Sequence, residues 1–471
     1  MDHILKTLRK KEHIDLVKRI FTSKQEHVME FWHELDEIKR EYHLSRLSKV
    51  DFELLARLIK ENVEKREMDK KGREISPPEV IPIPKTKEEK EKYQKAITLG
   101  EEALRKGEVA IFLVAGGQGA RLGFDGPKGM FPVSPLKNKT LFQLFAEKIM
   151  AMNRKYSTTL PWFIMTSEEN DEVTRKYFHD DNYFGLGKEN IFIFQQGMLP
   201  AIDSKGKLIL RQKHEIFMNP NGHGGSIPAL QVSGAIREMR KRGVKYIFYF
   251  QVDNPLAIMA DPAFIGYHIL NNADMSAKVT PKTGPEERVG VYGYINGNMG
   301  VIEYSDLTKE EMYAKDEKGN LLYNAGNLAI HIISVDFVER LNKNGLRLPY
   351  HLAKRKIESH KGEIDGIKFE TFVFDAFAEA KHYAIMEVRR EENFAPVKNA
   401  EGVDSPASSR EMQTNLFAEW LEAAGVKVPK KGGKPDGKLE ISPLFALDKE
   451  EFVKNYKDRP KLLPGFELYI S

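Results

Sequence analysis

The chain has 471 residues, enough for two or three domains, and its apolar fraction of 41% and charged fraction of 30% are those of an ordinary globular protein. A net charge of +4, from 73 Lys+Arg against 69 Asp+Glu, argues against a general nucleic-acid binder, which needs a large basic excess. The lack of cysteine excludes disulfides, thiolate nucleophiles and Cys-ligated metal centres.

The first segment, MDHILKTLRKKEHIDLVKRIF, lacks the apolar core of a signal peptide, and no apolar run approaches the roughly 20 residues of a membrane span. A soluble, cytoplasmic protein is expected. Residues 1 to about 75 read as helical: Val28, Phe31, Trp32 and Leu35 repeat at i, i+3, i+4, i+7, and Phe52, Leu55, Leu58 and Ile59 form a second set. The stretch SPPEVIPIP at 76–84 holds four prolines and reads as an extended arm or linker. A charged helix follows, ending at Gly107 in the C′ position.

From about Val109 short apolar runs appear: VAIFLVA, WFIMTS, IFIFQQ, YIFYFQV, MSAKVT and LAIHIIS, most of them separated by helical patterns. Strands alternating with helices imply a mostly parallel sheet covered on both faces, with ligands at the carboxyl ends of the strands. The expected division is a helical region at 1–107, an α/β domain at 108–392 and a C-terminal domain at 393–471. Within the last, MQTNLFAEWLEAAG reads as a helix and PKKGGKPDGK as a basic loop, solvated surface in preference to an assembly contact.

The strand VAIFLVA runs straight into GGQGARLGFDGPKGM. Glycine lets backbone N–H groups approach a phosphate or a base edge closely. The dinucleotide fingerprint G-x-G-x-x-G fails, because its third glycine would fall on Leu122; the P-loop fails because no Gly-Lys precedes Ser or Thr. What remains is a glycine frame holding two cations, Arg121 and Lys128. Next, QVDNP places Asp253 at the end of YIFYF, where an α/β enzyme puts a Mg²⁺ ligand, or where an Asx cap would stand. PNGHGGS forms another glycine loop, and its His223 suits a phosphate or a sugar hydroxyl, or a plain hydrogen bond to backbone.

Together and in order, LVAGGQGARLG, PKGM, QQGMLPAID, PNGHGGS, QVDNPL, EYS, NAGNLAIH, IKFETFVFD and FAPVKNA resemble the eukaryotic-type UDP-sugar pyrophosphorylases, most closely their UDP-N-acetylglucosamine branch. The resemblance implies an α/β, Rossmann-like nucleotidyltransferase domain with a mixed, mostly parallel sheet between helices. A helical N-terminal region and a small C-terminal domain flank it. It implies UTP and a sugar 1-phosphate as substrates, pyrophosphate as product and Mg²⁺ as cofactor; the charge balance and the lack of a spanning run point to no nucleic acid or membrane partner. Uridine would lie on Val114, Ala115, Gly116, Gly117, Gln196 and Gly222. Arg121, Lys128 and Lys398 would act on phosphates as catalytic cations, with Lys368 as a further UTP contact. Asp253 would hold the metal, and His223, Gly290, Glu303, Tyr304 and Asn327 would line the sugar pocket. Asp375 in FVFD is expected to be structural.

Two positions depart from that family's pattern. Ala120 replaces the usual Thr of the glycine loop, with the backbone kept. His223 stands where N-acetyl-sugar enzymes usually carry Asn and glucose-type relatives His, whereas EYS and NAGN look like the N-acetyl type. N-acetylglucosamine 1-phosphate is the expected substrate, with glucose 1-phosphate or broad specificity as the alternative. A non-catalytic nucleotide-binding protein is the remote one, since such a chain would tend to lose Arg121, Lys128, Asp253 or Lys398.

Overall fold

The computed structural model describes residues 1–61, 73–343, 345 and 348–471. Part of the helical expectation, residues 62–72, lies outside the described residues. The chain forms two compact units: Met1–Gly72 with Gly197–Gly225 and Arg347–Asp375, and Arg73–Gln196 with Ser226–Leu346 and Ala376–Ser471.

The larger unit is built on a ten-stranded mixed sheet. In chain order its strands are β1 (Ile75–Ser76), β2 (Val109–Val114), β3 (Trp162–Thr166), β4 (Ile191–Gln195) and β5 (Tyr246–Gln251), then β6 (Met275–Pro281), β7 (Val291–Ile295), β8 (Asn298–Ile302), β9 (Ala325–Ser334) and β10 (Tyr383–Glu387). The lateral order is β1-β7-β9-β5-β2-β3-β4, with β8 on β7 and β6 joining β9 to β10. Strands β5, β2, β3 and β4 are parallel neighbours, whereas β9 runs against β5, β6 and β7. Every residue of β3, and all of β2 but its last, is buried, which is why these runs are apolar throughout rather than alternating. Val109, Ile111 and Leu113 pack with the helices Lys87–Arg105, Leu141–Tyr156 and Pro262–Leu270. Phe112 points to the other face, stacked on Phe194 and edge-on to Tyr249.

The proline-rich arm is extended as its composition demands, and Ile81 bridges to β10 through Ile81 N–H donating to Ile385 O and Glu387 N–H donating to Ile81 O. Thr86 and Glu89 then form a capping box, starting a helix that stops before Gly107 at φ +69°. That helix crosses Pro262–Leu270 at backbone contact: a Cβ on Gly100 would collide with Pro262 O, and one on Gly266 with Ala96 O. At the chain's end, Pro406–Ala423, Lys449–Asn455 and the parallel pair Gly437–Ile441/Phe466–Ile470 share a core of Leu416, Trp420, Leu439 and Phe452. The expected basic loop contains a small hairpin: Lys430–Lys431 pairs with Lys434–Pro435 across Gly432 and Gly433, both at positive φ, the geometry of a two-residue turn.

In the smaller unit, the helices Lys11–Thr22, Glu37–Ser48 and Phe52–Ile59 bury Leu16, Ile20, Trp32, Leu47 and Leu55 with Ile202, Met218 and Phe369. The Val28–Leu35 stretch forms two 3₁₀ turns, Glu26–Met29 and Trp32–Glu34, instead of one α-helix. Side chains occupy the carbonyls an α-helix would use: His43 Nε2 sits 2.8 Å from Val28 O, and Arg40 Nε donates to Trp32 O at 3.0 Å. A three-stranded antiparallel sheet of His351–Ser359, Gly362–Glu370 and Ile202–Asp203 completes the unit.

Candidate active site

Strands β2, β3, β4 and β5 end in step, since Val114 pairs with Met165 and Gln251, and Thr166 with Gln195. Gly116, Gln196 and Asp253 therefore leave the sheet at one edge, the carboxyl edge where open α/β sheets bind ligands. The bare Cα of Gly116 lies against the Gln196 amide; a Cβ there would stand 2.6 Å from Gln196 Nε2. Gly117 has open space beside it. Asn170, fully buried, pins this turn: its Nδ2 donates to Ala115 O at 2.9 Å and Gly117 O at 3.4 Å, and its Oδ1 accepts from Ser167 N–H. Although Asn170 is the N-cap of the Asp171–Asp180 helix, its side chain does not cap it. That buried asparagine was missed in sequence; the one signal is an amide just past the strand end in TSEEN.

From Gly117 the loop folds back on itself. Lys128 N–H donates to Gly117 O at 3.0 Å and Gly119 N–H to Gly126 O at 2.8 Å, which puts Arg121 at the exposed tip and Lys128 at the base. Among the described residues neither cation is within ion-pair distance of a carboxylate. Asp253 is likewise half-buried with no partner for its carboxylate among the described residues. Its carbonyl accepts from Val397 N–H at 2.8 Å, which brings the adjacent Lys398 to the same loop. Lys398 lies 3.7 Å from Asp404 and over the Phe394 ring at 5.1 Å.

The residues expected to line a sugar pocket also converge in part. Gly290 lies against Glu303, where a Cβ would come within 3.3 Å of Glu303 Oε1, and Gly290 O accepts from Asn327 N–H at 2.9 Å. Asn327 Oδ1 accepts from Ala329 N–H at 2.8 Å and Tyr292 Oη at 3.4 Å. Tyr304 follows Glu303 and is 40% exposed, available to a ligand. Asn327 precedes His331, whose antiparallel partner Tyr249 precedes Asp253 by the same four residues, so Asn327 and Asp253 share the sheet edge.

Gly222, His223 and Lys368 belong to the smaller unit. Gly222, at φ +83°, packs its backbone on Thr371, where a Cβ would collide. His223 stacks on Phe372 at 5.1 Å, and its Nδ1 accepts from Val373 N–H at 3.1 Å. Burial pushes the His223 pKa down to about 4, so the ring is neutral at pH 7 with its proton on Nε2. Lys368 stands over the Phe217 ring at 4.9 Å. Asp375 Oδ2 is 2.8 Å from His351 Nε2, a contact within the fold.

No group of three or more His, Cys, Asp or Glu side chains capable of holding a metal occurs among the described residues. The unpartnered Asp253 carboxylate fits a Mg²⁺ ion that takes its other ligands from phosphate and water. No helix among the described residues is long and apolar enough to cross a membrane.

The profile of the family described as UTP–glucose-1-phosphate uridylyltransferase matches residues 50–464. UDP-N-acetylglucosamine diphosphorylase 2 of Arabidopsis thaliana is 36% identical over 452 residues, covering 92% of this chain and 89% of that protein. UDP-N-acetylglucosamine pyrophosphorylase of Saccharomyces cerevisiae is 37% identical over 373 residues, covering 74% and 78%. The crystal structure of the uridine diphosphate N-acetylglucosamine pyrophosphorylase of Trypanosoma brucei in complex with inhibitor superposes with a TM-score of 0.83 at 28% identity over 95% of each chain. With residues 50–464 matched by the family profile and most of its length by relatives at 36–37% identity, the chain belongs to the UTP–glucose-1-phosphate uridylyltransferase family.

Proposed function

We propose that the protein joins UTP to N-acetylglucosamine 1-phosphate, giving UDP-N-acetylglucosamine and pyrophosphate with Mg²⁺. The observation that carries this reading is the carboxyl edge of the sheet. There a bare glycine backbone faces the Gln196 amide, and two cations and a carboxylate without partners among the described residues stand on the loops beside it. The named activities of the relatives that cover most of the chain support the sugar.

In this reading Gln196 and the Gly116 backbone hold the uracil edge, and the hydrogen-bonded amide rejects cytosine by leaving buried polar groups unpaired. A phosphate oxygen of the sugar 1-phosphate attacks the α-phosphorus of UTP. The new P–O bond forms as the bond to the bridging oxygen breaks, and pyrophosphate leaves in line. That nucleophile is already ionised at neutral pH, so no side chain need take a proton. The protein's task is to align two polyanions and neutralise them. Arg121 offers a planar fork to phosphate oxygens; Lys128, Lys398 and Lys368 act as point charges. Asp253 holds the Mg²⁺, which when bound offsets charge on the transferring phosphoryl group. Gly290, Glu303, Tyr304 and Asn327 take the sugar.

His223 favours a second reading, glucose 1-phosphate. A neutral ring with its proton on Nε2 is a hydrogen-bond donor suited to a sugar hydroxyl. Pyrophosphate release with UTP and each sugar phosphate tests both readings. A higher kcat/KM for the N-acetyl substrate is expected, with CTP slower by about 10³-fold. A higher value for glucose 1-phosphate would give the site to the second reading.

A further inference from the structure

Asp253 and Lys398 come from stretches far apart in sequence, yet a single side chain joins the two. Asn254 is buried, 3% exposed. Its Nδ2 donates to Asn393 O at 2.7 Å, and its Oδ1 accepts from Ala395 N–H at 3.1 Å and from Leu256 N–H at 3.2 Å. Immediately on either side of these bonds lie Asp253 and Val397, themselves linked carbonyl to amide. The 393–398 segment is braced in turn: Lys278 donates to Asn393 Oδ1 at 3.0 Å while pairing with Asp261 at 2.6 Å, and Ser409 Oγ donates to Ala395 O at 2.7 Å. From the other direction Lys148 holds the loop after Asp253, donating to Pro255 O at 2.6 Å and Ala257 O at 2.9 Å.

We propose that Asn254 is a positioning residue: its buried amide sets the loop that presents Asp253 in register with the segment that presents Lys398. Only an amide of this length meets the demand, because one end must donate to a carbonyl while the other accepts two N–H groups. Aspartate would turn an acceptor toward Asn393 O, and leucine would leave two donors and a carbonyl buried without partners. The inference rests on the roles proposed above for Asp253 and Lys398. If they hold the metal and a phosphate, a small error in their spacing misaligns the two reactants.

The test is steady-state turnover with UTP and N-acetylglucosamine 1-phosphate over a range of Mg²⁺ concentrations. The variants are Asn254→Ala, Asn254→Ser, Asp253→Ala, Lys398→Ala and the Asn254→Ala/Lys398→Ala double variant, each checked for folding by thermal melting. Asn254→Ala is expected to lower kcat by about 10-fold or more, to raise the Mg²⁺ concentration for half-maximal rate, and to leave KM for UTP within about threefold. Its effect should shrink at least about threefold in the Lys398→Ala background, since the two act as one unit. A folded Asn254→Ala enzyme with kcat within about twofold of the parent overturns the proposal, as do fully independent effects in the double variant. Should Asn254→Ala not fold, Asn254→Ser carries the same expectations; if neither folds, the residue is structural and the proposal is overturned. Full activity in Asp253→Ala and Lys398→Ala would sink the site reading and the positioning role with it. Loss in those two with a normal Asn254→Ala sinks the positioning role alone.

Discussion

Two groups of cations serve the same sheet under opposite conditions. Arg121 and Lys128 stand on the glycine loop with no carboxylate partner among the described residues, while Lys278 is fully buried between Asp261 and Asn393. A protein has little reason to hold two bare cations on a braced loop unless an anion arrives to meet them. A buried cation, by contrast, must be paired inside the fold or it destabilises it. On the proposed function, the difference separates residues that would meet substrate from residues that hold the scaffold, and it makes a sharp pair of expectations.

The largest effect is on the scaffold. Lys278→Met leaves Asp261 without its partner and should cost about 3–5 kcal/mol of unfolding free energy in urea titrations. Adding Asp261→Asn should recover part of that loss. If Lys278→Met melts like the parent, the contrast between the two groups breaks. Next comes the loop: Arg121→Ala should lower kcat by about 10²-fold or more, the scale of one lost transition-state donor, while the melting temperature stays within about 2 °C. Near-normal turnover would remove Arg121 from the phosphate site. The third effect, the smallest at neutral pH, concerns a second buried, satisfied group. His268 lies between Ser276 Oγ at 2.8 Å and Ser334 Oγ at 2.9 Å, and burial pushes its pKa down to about 3. A pKa lowered on folding means the unfolded chain binds more protons, so this stability is present above the unfolded value near 6.5 and is lost as pH falls toward 3. Unfolding free energy should thus fall from about pH 6.5 downward, and His268→Gln should show a shallower fall. Equal slopes would show that other groups set the acid limit.

Much of the larger unit was legible because its signals are local. Buried parallel strands read as unbroken apolar runs, and the helix before β2 announced its end with Gly107. The glycine loop and the strand-end aspartate were visible for the same reason, and the Gly116–Gln196 contact joins two positions that the family resemblance assigns, each separately, to uridine. What stayed hidden depends on partners distant in sequence. The Val28–Leu35 pattern has helical spacing, but His43 and Arg40 occupy its carbonyls. Phe369 and Met218 join the N-terminal helices in one core, and nothing in their neighbourhoods in sequence says so. Asn170 and Asn254 act through side-chain bonds to backbone groups, which leave no periodic trace; QVDNP drew attention to its aspartate and concealed its asparagine.

The crossing at Gly100 and Gly266 limits how this sequence can drift. Any side chain at either position, even a methyl, would need to occupy space already filled by the main chain of the facing helix. Both positions are thereby closed to all residues but glycine, while the charged outer turns of the Lys87–Arg105 helix are open to nearly any helix former. The two glycines work as a rivet. They join the stretch before the first long strand to the helix that Asp261 caps, the carboxylate that Lys278 neutralises. A single methyl group at the rivet would pry that helix outward and loosen a charge pair whose own residues had not changed.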